Sequence, residues 1–157
     1  MKIALNLIIN GKQHELDVNP NTTLAELLRN ELGLTGSKVA CDIGACGSCT
    51  VLLDRKAVRS CSILAPQAEG RNIVTIEGLA NGDQLHPIQE SFIRNHGLQC
   101  GFCTPGMILE AKALLDENPK PSDLEVREAL DGHICRCGTY PNIVKSILDA
   151  AKVMRGE

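Results

Sequence analysis

The chain has 157 residues, and 43% of them are apolar, which is enough for the core of one large domain or two small ones. The net charge of −3 provides no basic surface, so nucleic acid is not an expected partner. The chain has only three aromatic residues (Phe92, Phe102 and Tyr140) but eight cysteines, so we expect a metal or disulfides to help hold the fold.

The N-terminal segment alternates like a strand and lacks the apolar stretch and small-residue cleavage site of a signal peptide. No apolar run approaches the roughly 20 residues needed to span a bilayer. We therefore expect a cytoplasmic protein without a membrane span. In that reducing compartment, cysteine patterns indicate metal binding or catalysis more often than structural disulfides.

The first half of the chain predicts a small sheet domain. Two alternating strands flank a tight Asn10-Gly11 turn, and their inward residues are Ile3, Leu5, Leu7, Ile9, Leu16 and Val18. The segment TLAELLRNELG predicts a helix with a capping box at Thr23 and Glu26 and a stop at Gly33. After a glycine- and cysteine-rich loop at residues 36–49, the segments TVLLD, AVRSC and NIVTI predict three short strands. The domain should end near Gly78.

The second half predicts helices, with the boundary in GLANGDQLHP. Helices should begin near Pro87, Pro105, Ser122 and Pro141, which makes a compact four-helix bundle. The apolar stripes of three of them should face the core. Their members are Ile88, Phe92 and Ile93 in the first, Met107, Ala111, Leu114 and Leu115 in the second, and Ile143, Val144, Ile147, Leu148 and Ala151 in the last.

The first cysteine set has the spacing of a plant-type [2Fe-2S] site, C-x4-C-x2-C followed by a distant cysteine. Its members are Cys41, Cys46, Cys49 and Cys61. Gly44 and Gly47 can adopt the positive φ that brings the loop close to an anionic cluster, with backbone N–H groups pointing at the sulfurs. Structural zinc usually uses two C-x2-C knuckles, so this spacing favours iron–sulfur.

The second set consists of Cys100 and Cys103, then Cys135 and Cys137 after 31 intervening residues. Cys103 and Cys137 each lie just before a predicted helix, where free N–H groups favour thiolates. Two other interpretations remain at this point. CGFC could be a thioredoxin-like motif, although no strand precedes it, and the four cysteines could bind structural zinc.

Taken together and in this order, the two sets resemble the iron–sulfur small subunit of the molybdenum-containing hydroxylases, the family of xanthine oxidase, aldehyde oxidoreductase and aerobic carbon monoxide dehydrogenase. The resemblance covers essentially the whole chain. It rests on GSKVACDIGACGSCTV, Cys61, LQCGFCTPGMI and HICRCGTYPNIV.

The resemblance implies an α+β fold, with an N-terminal β-grasp plant-type ferredoxin domain (1–78) followed by an all-α four-helix [2Fe-2S] domain (79–157). Cys41, Cys46, Cys49 and Cys61 would hold the outer cluster, nearer a flavin. Cys100, Cys103, Cys135 and Cys137 would hold the inner cluster, nearer a molybdopterin. Gln99 and Cys137 would contact that molybdopterin in the partner subunit.

The implied function is electron transfer within a molybdenum hydroxylase-type oxidoreductase. Single electrons would pass from molybdopterin (expected as the cytosine dinucleotide) on a large subunit, through the two clusters, to FAD on a medium subunit. The complex would be a heterotrimer or a dimer of heterotrimers. No catalytic side chain is expected on this chain. The alternatives are a stand-alone ferredoxin-type electron carrier and a zinc-binding interaction module.

The chain departs from the family pattern at three positions. Gly138-Thr139 is transposed relative to the usual C-R-C-T-G-Y, Ala40 replaces a common glycine, and Ser48 replaces a common alanine. None of these changes removes a ligand.

Overall fold

The computed structural model describes residues 2–157 and is a mixed α/β structure. Five strands form one sheet in the order β2-β1-β5-β3-β4. The strands are β1 (Ile3–Ile9), β2 (Lys12–Val18), β3 (Thr50–Leu53), β4 (Lys56–Arg59) and β5 (Asn72–Val74). The helices are α1 (Leu24–Glu26), α2 (Pro87–Arg94), α3 (Thr104–Glu117), α4 (Asp123–Ala129) and α5 (Tyr140–Met154).

The predicted hairpin at the N-terminus is confirmed. β1 and β2 are antiparallel, with Ile3 opposite Val18 and Ile9 opposite Lys12. Asn10 and Gly11 both have positive φ, as a two-residue turn that follows the strand twist requires. Every second side chain of β1, from Leu5 to Ile9, is buried. β5 then pairs with β1 in parallel and with β3 in the antiparallel sense, which places the hairpin β3–β4 at the far edge.

The predicted helix at residues 23–33 begins as expected but changes geometry. The Thr23 side chain accepts from the backbone N–H of Glu26, and the Glu26 carboxylate accepts from Thr23, so the capping box is present. From Leu27 to Glu31 the helix widens into a π turn, closed by a hydrogen bond from Leu32 N to the Leu27 carbonyl. The backbone therefore follows packing here, because Leu24, Leu27 and Leu28 are all fully buried.

The predicted strands AVRSC and NIVTI are both shorter than expected, and NIVTI ends at Val74. AVRSC stays in the strand only to Arg59, and Ser60–Ser62 forms a 3₁₀ turn. The Ser60 hydroxyl donates to the Cys49 carbonyl at 2.7 Å, which turns the chain out of the sheet. Cys61 consequently lies in a turn beside the cysteine-rich loop and not in the strand.

Four helices follow residue 86, each beginning within one residue of its predicted start. One detail of the first was wrong. Ile88 and Phe92 of α2 are fully buried, but Ile93 is 58% exposed, because it follows Phe92 by one residue and points about 100° away around the helix. In α3, Met107, Ala111 and Leu115 face the core while Leu114 is only partly buried at its edge.

Two hydrophobic cores fill the molecule. The first lies between the sheet and residues 24–28, and the second lies among α2, α3, α4 and α5. α3 also packs directly against β3, so the two halves share an interface. Within residues 2–157, none of the helices has the length and apolar content to cross a membrane.

Candidate metal centres

The first cysteine set lies where the loop 36–49 meets the turn after β4. The thiol of Cys41 lies beside that of Cys46, and the thiol of Cys49 lies beside that of Cys61. Cys49 and Cys61 are buried together against Ala25 of α1. The four thiols therefore form two pairs around one loop.

The loop directs backbone donors at Cys41. The N–H group of Ile43, together with those of Cys46 and Ala45, lowers the pKa of the Cys41 thiol to about 6 against the opposing effect of burial. Gly44 makes this possible with φ of +74°, and a Cβ there would lie 2.6 Å from the Ser62 hydroxyl. The loop thus stabilises a thiolate, the form of cysteine that binds metal.

Cys49 belongs to the deeper pair of the first set, and its pKa shifts in the opposite direction from that of Cys41. Burial raises the pKa of the Cys49 thiol to about 11. A buried thiol gives up its proton readily only when a cation takes its place, because an uncompensated thiolate is costly inside a protein. Cys49 therefore needs a bound metal to be ionised at neutral pH.

The second set brings together two loops that precede helices. The thiol of Cys100 lies beside that of Cys137, and the thiol of Cys103 lies beside that of Cys135. Cys103 is the N-cap of α3, and Cys135 and Cys137 precede α5, which packs into the same core. Both helix N-termini therefore face this cysteine set with their free N–H groups.

The thiols of the second set also differ in depth. Burial raises the pKa of Cys103 to about 12. Burial acts in the same direction on Cys135, but the hydroxyl and N–H of Thr139 and other donors outweigh it and lower the pKa to about 7. The N–H of Phe102 lowers the pKa of the exposed Cys100. Gly101, with φ of +81°, makes the turn between Cys100 and Cys103.

The donor sets fit two dinuclear iron–sulfur clusters. Each iron of a [2Fe-2S] cluster takes two protein thiolates and two bridging sulfides, so paired cysteines are what it needs. Within residues 2–157, no three His, Cys, Asp or Glu side chains converge on a single point. The Thr104 hydroxyl, next to Cys103, is buried without a partner among these residues, as suits a donor beside a cluster.

The two sites are joined by one backbone hydrogen bond. The N–H of Ile134 donates to the carbonyl of Cys46 at 2.9 Å. Because Ile134 directly precedes Cys135, this bond runs from a cysteine of the first set to the neighbour of a cysteine of the second. A cavity of about 210 Å³ lies at the same place, and its lining includes Cys46, Cys100, Cys103, Phe102 and Ile134.

Glycines allow this close approach. A Cβ on Gly106 in α3 would lie 2.3 Å from the Gly47 carbonyl oxygen, and a Cβ on Gly47 would lie 2.5 Å from the His133 ring. The loop of the first set therefore rests directly on the first turn of α3 and on the segment before Cys135. Only glycine at positions 47 and 106 permits that contact.

A buried polar network accompanies the contact, and sequence reasoning missed it. Arg59 donates to the Thr50 hydroxyl at 2.9 Å and to the Glu110 carboxylate at 3.3 Å, while its second terminal nitrogen lies 3.3 Å from His133 Nδ1. Burial, together with the charge of Arg59, lowers the pKa of His133 to about 4. The one sequence signal was the position of His133 two residues before Cys135.

The remaining predicted residues lie at the surface. Gln99 is exposed, and Cys137 is partly exposed. Large apolar side chains near the cysteine sets are exposed as well, among them Ile43 by 77%, Phe102 by 45% and Ile134 by 56%. The chain thus presents apolar surface beside both sets.

Two family models match the chain. Residues 7–79 match a 2Fe-2S iron-sulfur cluster binding domain, and residues 75–148 match a [2Fe-2S] binding domain. A curated relative, the nicotine 6-hydroxylase small subunit of Paenarthrobacter nicotinovorans, is 48% identical over 149 residues, which cover 95% of this chain and 90% of the relative.

Solved structures agree with these matches. The chain superimposes on quinoline 2-oxidoreductase from Pseudomonas putida 86 with a TM-score of 0.93 and 48% identity, covering 99% of this chain and 98% of that chain. It superimposes on the aldehyde oxidoreductase from Desulfovibrio desulfuricans with a TM-score of 0.94 and 47% identity, but covers only 17% of that much longer chain. The same fold therefore occurs both as a chain of this size and as part of a larger one.

Proposed function

Because the chain belongs to the iron–sulfur small subunits of the molybdenum hydroxylase family, we propose that it is the electron-transfer subunit of such a complex. It relays single electrons from a molybdopterin centre on a large subunit, through two [2Fe-2S] clusters, to FAD on a medium subunit. The clusters supply the one-electron chemistry, and this chain supplies their ligands and surroundings.

The proposed ligands divide between two domains. Cys41, Cys46, Cys49 and Cys61 bind the outer cluster in a β-grasp domain at 1–78. Cys100, Cys103, Cys135 and Cys137 bind the inner cluster in a four-helix domain at 79–157. Two separate hydrophobic cores and two family models that meet at residues 75–79 support this division.

The observation that carries the relay is the hydrogen bond from Ile134 N to the Cys46 carbonyl. It gives the two proposed ligand sets a direct connection through one hydrogen bond and the covalent bonds of neighbouring residues. The glycine contact at Gly47 and Gly106 keeps the two loops packed together. An electron therefore has a short route through this chain.

Gln99 and Cys137 are proposed to meet the molybdopterin, in its cytosine dinucleotide form, on the large subunit. Their exposure supports this, as do the exposed side chains of Phe102 and Ile134 nearby, because apolar surface of this kind is suited to a subunit interface. We propose a heterotrimer, or a dimer of heterotrimers, in the reducing cytoplasm. All eight cysteines are free of disulfides, as such a compartment favours.

Rapid-mixing kinetics on the intact complex test the order of the relay. In Cys49→Ser, the outer site loses a ligand while the inner site keeps all four. Substrate should then still reduce the inner cluster at the normal rate, whereas FAD reduction should slow by more than tenfold. Gln13→Ser, an exposed change in the edge strand β2, is the control and should leave both rates unchanged. Normal FAD reduction in Cys49→Ser would refute the relay.

A further inference from the structure

The transposed pair Gly138-Thr139 forms a contact that was not predicted from the sequence. The Thr139 hydroxyl oxygen lies 3.2 Å from the sulfur of Cys135. Cys135 is only 8% exposed, so the contact is shielded from solvent. The backbone N–H groups of Thr139 and Cys137 are directed at the same sulfur.

The position of Thr139 makes its orientation informative. Thr139 is the N-cap of α5, and the other two hydroxyl N-caps among the α-helices of residues 2–157, Thr23 and Ser122, use their side chains to accept a backbone N–H of the first turn. Thr139 makes no such side-chain bond. Its hydroxyl forgoes the usual capping interaction and points at Cys135 instead.

Gly138 produces this orientation. Its φ is +73°, and its N–H donates to the Cys135 carbonyl at 3.2 Å, which closes a tight turn around the cysteine. The turn brings residue 139 back over the Cys135 side chain. Threonine in this place therefore meets the sulfur, while the carbonyl of Thr139 still accepts from Ile143 N at 3.0 Å and starts α5.

The direction of the hydrogen bond follows from the chemistry of a ligand. A thiolate bound to iron carries no proton and can only accept, so the Thr139 O–H donates. Reduction of a cluster adds negative charge, and a donor to a ligand sulfur stabilises the more negative state. Such a bond raises the reduction potential.

We propose that the Thr139 hydroxyl raises the reduction potential of the cluster held by Cys100, Cys103, Cys135 and Cys137, and does so selectively for that cluster. This inference rests on the proposed ligand set. The nearest counterpart at the other set is the Ser62 hydroxyl, 3.6 Å from the Cys61 sulfur and on an exposed residue. That longer contact contributes less, so Thr139 biases the equilibrium between the two clusters toward the one nearer the proposed molybdopterin.

The test is an EPR-monitored redox titration of the chain in its native complex, with Thr139→Val and the matched Thr139→Ser. Valine keeps the shape and removes the donor, so the reduction equilibrium of the Cys135 cluster should shift toward the oxidised form by about three- to tenfold, as for one hydrogen bond. At 59 mV per tenfold change for one electron, this is about 30–60 mV. Serine should restore the wild-type value, and the other cluster should not move.

Three results would overturn the proposal. These are an unchanged potential in Thr139→Val, an equal shift of both clusters, and a shift in Thr139→Ser as large as that in valine. If the Thr139→Val variant does not bind the cluster, the same titration of Thr139→Ala tests the proposal. Loss of the cluster in both, with retention in serine, would mean that the hydroxyl retains the cluster and does not tune it. Failure of the proposed function would be recognised separately, because the wild-type chain would then either give no cluster signals or purify without partner subunits.

Discussion

His133 Nε2 lies 3.1 Å from the Thr50 hydroxyl, although 83 residues separate them. The Thr50 hydroxyl donates to the Gly47 carbonyl at 2.7 Å, so its oxygen accepts a hydrogen bond from His133 Nε2–H. That assigns the Nε2–H tautomer and leaves Nδ1 to accept from Arg59 at 3.3 Å. A neutral histidine therefore ties the strand after the first cysteine loop to the segment before Cys135.

His133→Ala should lower the stability of the protein by removing this connection. The substitution removes a buried ring and its hydrogen bond to Thr50, so we expect a loss of about 2–4 kcal/mol in the free energy of unfolding. Urea unfolding followed by far-UV circular dichroism measures it. His14→Ala, at a half-buried histidine of β2, is the control and should cost less than about 1 kcal/mol. Equal effects of the two variants would contradict the network.

Glu110→Gln should change the pH dependence of stability. Burial raises the pKa of the Glu110 carboxyl against the opposing effect of Arg59. A raised folded-state pKa means that the carboxyl contributes most stability below its unfolded pKa and loses that contribution as the pH rises through the folded value. The glutamine variant should therefore gain stability relative to wild type as the pH rises from about 4 upward.

Asp123→Asn is the matched control, with the opposite sign. The hydrogen bond from Arg127 lowers the pKa of the exposed Asp123, so its contribution is present at neutral pH and is lost as the pH falls. The asparagine variant should lose stability relative to wild type as the pH rises. Urea midpoints at several pH values measure both trends, and trends of the same sign would refute the assignment.

Gly106→Ala should disturb the contact between the two cysteine loops. Alanine normally favours a helix over glycine by about 1 kcal/mol. Here the added methyl would meet the Gly47 carbonyl oxygen, so we expect a net loss of about 1–3 kcal/mol and altered EPR signals from both clusters. Gly82→Ala adds the same methyl with no atom within 4 Å and should leave both signals unchanged, although its φ of +59° adds backbone strain. Unaltered signals in Gly106→Ala would count against the close packing.

Much of the fold followed from local patterns. The alternation from Leu5 to Ile9 predicted β1, because period two marks a strand with one buried face. The spacing of Thr23 and Glu26 predicted a helix start, because a capping box is a local interaction. The prolines at 87, 105 and 141 predicted helix starts, because the preference of proline for the first turn of a helix is also a local property.

What could not be predicted depends on distant contacts. The π turn at Leu27–Glu31 depends on how the leucines pack against the sheet. The exposure of Ile93 depends on which face of α2 meets α5. The polar network around His133 joins single residues far apart in sequence, and isolated polar residues form no pattern. The ligand roles of the eight cysteines stay a prediction from spacing, to which the structure adds their arrangement in neighbouring pairs.

Metal analysis of the native, untagged protein tests the central claim most directly, combined with EPR after reduction. Two [2Fe-2S] clusters predict about four irons and four acid-labile sulfides per chain, and two distinguishable signals. Cys137→Ser should weaken only one of the two. A colourless protein that contains zinc and no labile sulfide would contradict the account, and so would the loss of both signals together in Cys137→Ser.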